Sequence, residues 1–377
     1  MHPRGEMAPL TAQTPEVAVL LACARATASA EDDRRLGALV GADVDYPTLV
    51  ALAERHRMTA FVYAHLKRVA PDRIPRVAMN ALHRTSQLTA ARGLMLGAEL
   101  VDLIRLFAEH EIRALPFKGP VLAQCVYGNL ALRFMRDVDI LVPPEDVHRA
   151  HALLLARGYR TETKLLPGFV AWRLEYQLCV SRAIDTAIVE LHWTVASLSV
   201  APEVGIDKLW DQRLHTSVLG ERVPCPSHEH LLLLLCIHGA RHAWWRLELI
   251  CCVAELVRSK PLDWYSVLDQ AAAWRCGRML RVGLLLAHDV LGARVPELAL
   301  DIARSDGEAC ELARQARADL FAAEPSIDRA REPRRFQLRM QEGTADKLRA
   351  LWFRAVGGSA RKAAALSAYI LQQASVA

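Results

Sequence analysis

A chain of 377 residues that is 52% hydrophobic can bury a sizeable core over two or three domains, which excludes a disordered protein. Its net charge of +5 is too mild to argue for nucleic acid as partner, and no basic aromatic platform supports one. Nine cysteines, an odd number without C-x-x-C spacing, fit a reducing, cytoplasmic compartment better than a disulfide framework.

The first stretch, residues 1–94, reads as a helical segment. Its "VAVLLACARATASA" imitates a signal peptide, yet Glu16 precedes it and Arg25 interrupts it. Asp43 and Asp45 spell "DVD" ahead of Tyr46-Pro47, a turn that leads into a helix, and "DYPTLVALAERHRMTAFVYAHLKRV" then places apolar groups at helical spacing. Residues 95–200 change character. "GAELVDLIRLFAEHEI" predicts an amphipathic helix, "IRALPF" a short strand, and "KGPVLAQCVYG" a turn and a helix closing at Gly128. "DVDILV" is the next strand, ended by Pro143-Pro144. "EDVHRAHALLLARGY" follows as a helix with Glu145 and Asp146 in its first turn and Gly158 at its C-cap. "TAIVELHWTV" is another β-rich run. The order predicts an α+β fold, a small mixed sheet with helices, flanked by N-terminal and C-terminal helical segments. Helices return over residues 201–323. There "LLLLLCI", Leu231 to Ile237, is far shorter than the roughly 20 residues a bilayer requires. Residues 324–377 hold a linker, "EPSIDRAREPRR", and a helical tail broken at Gly357-Gly358.

The chemistry concentrates in "RFMRDVDILV". About five acid-x-acid triplets arise by chance in a chain of this composition, so context must carry the argument. On a strand Asp137 and Asp139 point the same way while Val138 and Ile140 point into the core. Paired carboxylates repel unless a cation neutralises them, and Mg²⁺ (or Mn²⁺) prefers such oxygen ligands. Glu190, which shares a face with His192 in "AIVELHW", would supply a third carboxylate from a neighbouring strand. Such a centre can hold a triphosphate for in-line displacement at the α-phosphorus. Lys118-Gly119 opens a helix and is a candidate phosphate contact, while Arg133 and Arg136 lie where they either contact phosphate or balance the acids.

"LPFKGPVLAQCVYGNLALRFMRDVDILVPPEDVHRAHALLLARGY" resembles the core of a largely uncharacterised bacterial nucleotidyltransferase family, whose members share K-G, Y-G and R-x-x-x-D-x-D-x-L-V. The resemblance extends through "LAERHRMTAFVYAHL" upstream and "EHLLLLLCIHGARHAWWRL" and "LDWYSVLDQAA" downstream. It implies the palm fold of the DNA polymerase beta-like superfamily, with Asp137 and Asp139 as the metal pair, Glu190 as the third carboxylate and Lys118-Gly119 facing the nucleotide. It also implies an ATP or other NTP substrate and a small-molecule, peptide or protein acceptor, some relatives belonging to peptide natural-product clusters. Two positions depart from the pattern. Lys118-Gly119 stands where the wider superfamily has Gly-Ser, and Cys252 stands where relatives usually have an aspartate.

Two readings compete with Mg²⁺-dependent nucleotidyl transfer. One is a silent module that binds a nucleotide or peptide. The other is a metal hydrolase built on His228 and His230, placed in a loop, with His238 and His242 at i, i+4 on a helix. The H-E-x-x-H pattern is absent, because position 239 is glycine.

Overall fold

The computed structural model describes residues 14–41, 43–162, 176–182, 187–197, 200, 204–322 and 332–356. The N-terminal periodicity becomes four short helices, α1 (Pro15–Ala22), α2 (Ala30–Leu39), α3 (Tyr46–Arg55) and α4 (Thr59–Val69), and one long one, α5 (Arg76–Glu109). Ser29 and Asp32 form a reciprocal capping box on α2, and Asp45 of the first "DVD" is the N-cap of α3. That copy is a helix start, as its Tyr-Pro continuation predicts.

The central elements follow the predicted order. Strand β1 (Leu115–Pro116) leads to α6 (Gly119–Leu122), which loosens into a π-turn over Ala123–Tyr127 and stops at left-handed Gly128. Strand β2 (Val138–Leu141) leads through a 3-10 turn at Pro144–Asp146 into α7 (Val147–Ala156). The sheet adds β3 (Arg160–Thr161), β4 (Gln177–Arg182) and β5 (Ala187–His192), in spatial order β1-β2-β5-β4-β3. Only β2 and β5 pair in parallel; every other neighbour in this sheet is antiparallel. The result is the small mixed sheet with flanking helices that the α+β reading requires.

After the short α8 (Asp207–Trp210) comes a hairpin, β6 (Leu214–Val218) and β7 (Glu221–Cys225). Its two turn residues, Leu219 and Gly220, both have positive φ, 53° and 87°. That is the primed geometry whose twist matches paired strands. The C-terminal half is helical: α9 (His228–Arg241), α10 (Leu247–Ser259), α11 (Trp264–Ala273), α12 (Gly277–Leu291), α13 (Glu297–Ser305), α14 (Gly307–Leu320) and α15 (Glu332–Arg339). Ser227 caps α9 by accepting from the His230 N–H, and Asp263 caps α11 through Tyr265 and Ser266. His228 and His230 therefore belong to the first turn of a helix, which corrects the loop placement. The linker expected over residues 324–335 is helical from Glu332, its earlier part and Gly357-Gly358 lying outside the described residues. One continuous set of buried apolar side chains runs from α1 through the sheet to α15. Among the described residues no helix is long and apolar enough to cross a membrane.

Candidate active site

The parallel pair β2–β5 decides which side chains meet. Val138, Ile140, Val189 and Leu191 fill one face and are fully buried. On the other face Asp139 stands directly opposite Glu190, and Leu141 pairs with His192. Asp137, two residues before Asp139, lies just outside the strand and opens into the same cleft. Ligand atoms of Asp139, Glu190 and His192 all lie within 4.8 Å of one another. The sequence placed His192 on this face without giving it a role. Its Nε2 sits 3.1 Å from Asp139 Oδ1 and 3.4 Å from Glu190 Oε2, touching both carboxylates. Phe117 fixes the imidazole edge-on at 5.0 Å, and its Nδ1 is buried with no hydrogen-bond partner among the described residues.

Lys118 approaches from the other side. The turn that opens α6 needs Gly119 at φ +59°, and it carries the Lys118 ammonium to 2.6 Å from Asp139 Oδ1. So Lys118 is the standing counter-ion of the acidic group. Burial opposes ionisation of Asp139, yet Lys118 and His192 hold its carboxyl well below the ordinary carboxylate range. Glu190 is also held low against its burial, through its hydrogen bond with His192. Asp137 goes the opposite way. Burial and then the charges of Asp139 and Glu190 push it up to about 6. Three crowded carboxylates thus leave one, Asp137, holding a proton just below neutrality.

That displacement has a stability consequence with a definite sign. A carboxyl whose folded pKa exceeds its unfolded value of 3.8 loses stability as pH rises between the two and keeps that deficit above the higher one. Asp137→Asn is expected to stabilise the metal-free protein at pH 7.5 by roughly 1–3 kcal/mol. Thermal melts from pH 4 to pH 8 should show the variant's advantage appearing above about pH 4 and levelling off above about pH 6, where the shift ends. A constant difference across that range would contradict the assignment.

The two arginines of the motif part company. Arg133 is buried, its Nη2 3.4 Å from Glu248 Oε1, and although burial opposes its charge, Glu248 holds its pKa above the ordinary arginine value. Behind it the Tyr127 hydroxyl donates to the Cys252 sulfur at 3.1 Å. The departure at Cys252 therefore lies at the back of the cleft, where a neutral thiol accepts the phenolic hydrogen bond. Arg136 is mostly exposed, with its Nε 3.8 Å from the Asp137 carboxylate.

Sequence reasoning missed the facing wall. Helix α9 stops at Arg241, and Ala243 and Trp244 both take left-handed φ, 48° and 55°. The Trp244 ring plugs a notch at Gly239 and Gly283; a Cβ at Gly239 would lie 2.4 Å from the ring, and one at Gly283 would crowd it at 3.1 Å and strike the Cys236 sulfur at 2.6 Å. With Trp244 anchored, His242, Trp245, Arg246 and Glu248 line the cleft, joined by Arg57 from the α3–α4 turn. The cleft holds about 330 Å³. A signal was present in the run "ARHAWWRLE", which packs two arginines, a histidine, two tryptophans and a glutamate into one short segment.

The histidine set does not assemble. His238 and His242 meet edge to face at one end of α9, ring centroids 4.7 Å apart, while His228 and His230 begin the other end. Eight residues of helix, about 12 Å at 1.5 Å each, separate His230 from His238. Among the described residues only Asp139, Glu190 and His192 bring three metal-ligating groups together. Burial, then Arg241 and Lys118, push His242 down to about 4, so this imidazole is neutral in a cationic setting.

The family model described as "Uncharacterised nucleotidyltransferase" matches residues 42–292. No curated protein matches the chain. The matched span holds the acidic cluster, the Lys118-Gly119 turn and the facing wall.

Proposed function

Because the chain belongs to the uncharacterised nucleotidyltransferase family, we propose that it transfers a nucleotidyl group from an NTP to an acceptor hydroxyl and releases pyrophosphate, in a Mg²⁺-dependent reaction. The observation that carries this reading is the in-register opposition of Asp139 and Glu190 on adjacent parallel strands, with Asp137 entering the same cleft. The donor set fits a hard divalent cation. It offers carboxylate oxygens at one locus, and the Lys118 ammonium already marks a point beside Asp139 where positive charge is favourable. Bound there by Asp137, Asp139 and Glu190, Mg²⁺ or Mn²⁺ would neutralise triphosphate charge and acidify the attacking hydroxyl.

The remaining work falls to the protein. The acceptor oxygen forms a bond to the α-phosphorus as the bond from that phosphorus to the bridging oxygen of the pyrophosphate breaks, and the hydroxyl proton passes to a base. His192 holds Asp139 and Glu190 in register with each other, and Lys118 pairs with phosphate oxygens once a divalent ion satisfies Asp139. Glu248 and Arg133 fix the floor of the cleft.

Calorimetric binding of a non-hydrolysable ATP analogue tests the reading. The expected result is binding that requires Mg²⁺ and is lost in Asp137→Asn/Asp139→Asn. A double variant that binds like wild type would remove the acidic group from the nucleotide site.

A further inference from the structure

The two sides of the cleft differ in charge balance. At the sheet, Asp137, Asp139 and Glu190 gather beside Lys118 and Arg136, while the helical wall contributes Arg57, Arg241 and Arg246 with Glu248. Each wall arginine lies against an aromatic ring. The Arg57 guanidinium is 4.6 Å from the centroid of Phe134, that of Arg241 is 5.0 Å from Tyr176, and that of Arg246 is 3.7 Å from Trp245. Stacking pre-orients a guanidinium plane and leaves its edges for a forked oxyanion.

Two of the three arginines, Arg241 and Arg246, form no ion pair among the described residues. Among the described residues the one acid that lines this wall, Glu248, is shared between Arg57 at 3.5 Å and Arg133 at 3.4 Å. Arg246 Nε is buried without a hydrogen-bond partner among those residues. Burial and the like charge of Arg57 also pull the Arg246 pKa down to about 10, and the more distant charge of Glu248 offsets them only in part.

Resting on the nucleotidyl-transfer reading, we propose that Arg57, Arg241 and Arg246 form the docking wall for the acceptor, which carries a carboxylate or phosphate group near the hydroxyl that is modified. The triphosphate finds its positive charge at the sheet, from divalent ions and Lys118. In-line displacement brings the incoming hydroxyl from the side opposite the leaving pyrophosphate. A second anion, on the acceptor, is what the wall lacks, and a guanidinium fork reads either oxyanion.

Inorganic phosphate, titrated by calorimetry into the metal-free full-length chain, is the probe. Arg241→Gln/Arg246→Gln is expected to weaken phosphate binding by at least about tenfold more than it weakens binding of the Mg²⁺–ATP analogue. Arg241→Lys/Arg246→Lys keeps the charge without the fork and should fall between; it carries the test if the glutamine pair does not fold. Phosphate should still bind Asp137→Asn/Asp139→Asn. No phosphate binding to wild type overturns the proposal, as does a lysine pair that binds phosphate like wild type. Equal losses for phosphate and nucleotide assign the wall to the triphosphate instead. Should the analogue fail to bind wild type while phosphate binds the wall, nucleotidyl transfer falls and the anion site stands.

Discussion

Lys118→Met is expected to destabilise the metal-free protein by about 2–4 kcal/mol, and saturating Mg²⁺ should recover most of the loss. Asp139 is buried, and two groups contact its carboxylate, the Lys118 ammonium at 2.6 Å and the His192 imidazole at 3.1 Å. Removing the ammonium leaves a buried carboxylate with one weaker partner. The sign follows from its depressed pKa. Such a group adds stability above its unfolded value of 3.8, and the contribution disappears as pH falls below it. The gap between wild type and variant should therefore be full near pH 7 and narrow below about pH 4. Calorimetric melting is the measurement, with an expected fall in Tm of about 3–5 °C. A divalent ion replaces the missing charge, so Mg²⁺ should raise the Tm of the variant more than that of wild type. Equal responses to Mg²⁺ would mean that the ion and Lys118 do not share Asp139.

The second large effect is expected one residue on. Gly119→Ala should cost about 2–5 kcal/mol and weaken the Mg²⁺-dependent binding of a nucleotide analogue. Gly119 has φ +59°, and a Cβ there would lie 2.7 Å from the Asp137 carbonyl oxygen, a backbone atom with nowhere to retreat. The clash would push Asp137 out of the cleft. Gly128 supplies the control, for its φ is +64° but a Cβ there meets nothing within 4 Å. Gly128→Ala should therefore cost only the conformational strain, about 1–2 kcal/mol, and leave nucleotide binding alone. Denaturant melts and calorimetry on both variants separate the two cases. If Gly128→Ala were as damaging as Gly119→Ala, strain rather than collision would explain both.

Local signals in the sequence led to local structure. Alternation around Asp137 to Val142 gave β2, the proline pair its end, and Gly128 the stop of the helix before it. The motif placed Asp139 and Glu190 on neighbouring strands because apolar residues alternate on both. What could not be read was the meeting of distant segments. Arg57 lies in a tight turn with positive φ, and only tertiary packing turns it toward Phe134. Lys118 looked like a phosphate contact, yet in the folded chain it salt-bridges Asp139, a pairing across 21 residues. The hairpin β6–β7 hid because "SVLGER" pairs Leu219, a poor left-handed residue, with Gly220, and only the second is a turn signal. Nothing in "AWWRL" tells its two tryptophans apart, yet Trp244 is the buried anchor and Trp245 lines the cleft.

The parallel pairing of β2 with β5 also sets when the proposed metal-binding carboxylates can meet during folding. Asp139 and Glu190 are 51 positions apart along the chain, and between them lie α7 and the antiparallel strands β3 and β4. Closing so long a loop costs entropy before any contact repays it, so this pairing is expected late in folding. A slip of one residue would present Val189 and Leu191 to Asp139 in place of Glu190. Divalent ions therefore have no assembled ligand set in the early chain. Their stabilisation should appear as slower unfolding, with the refolding rate nearly unchanged.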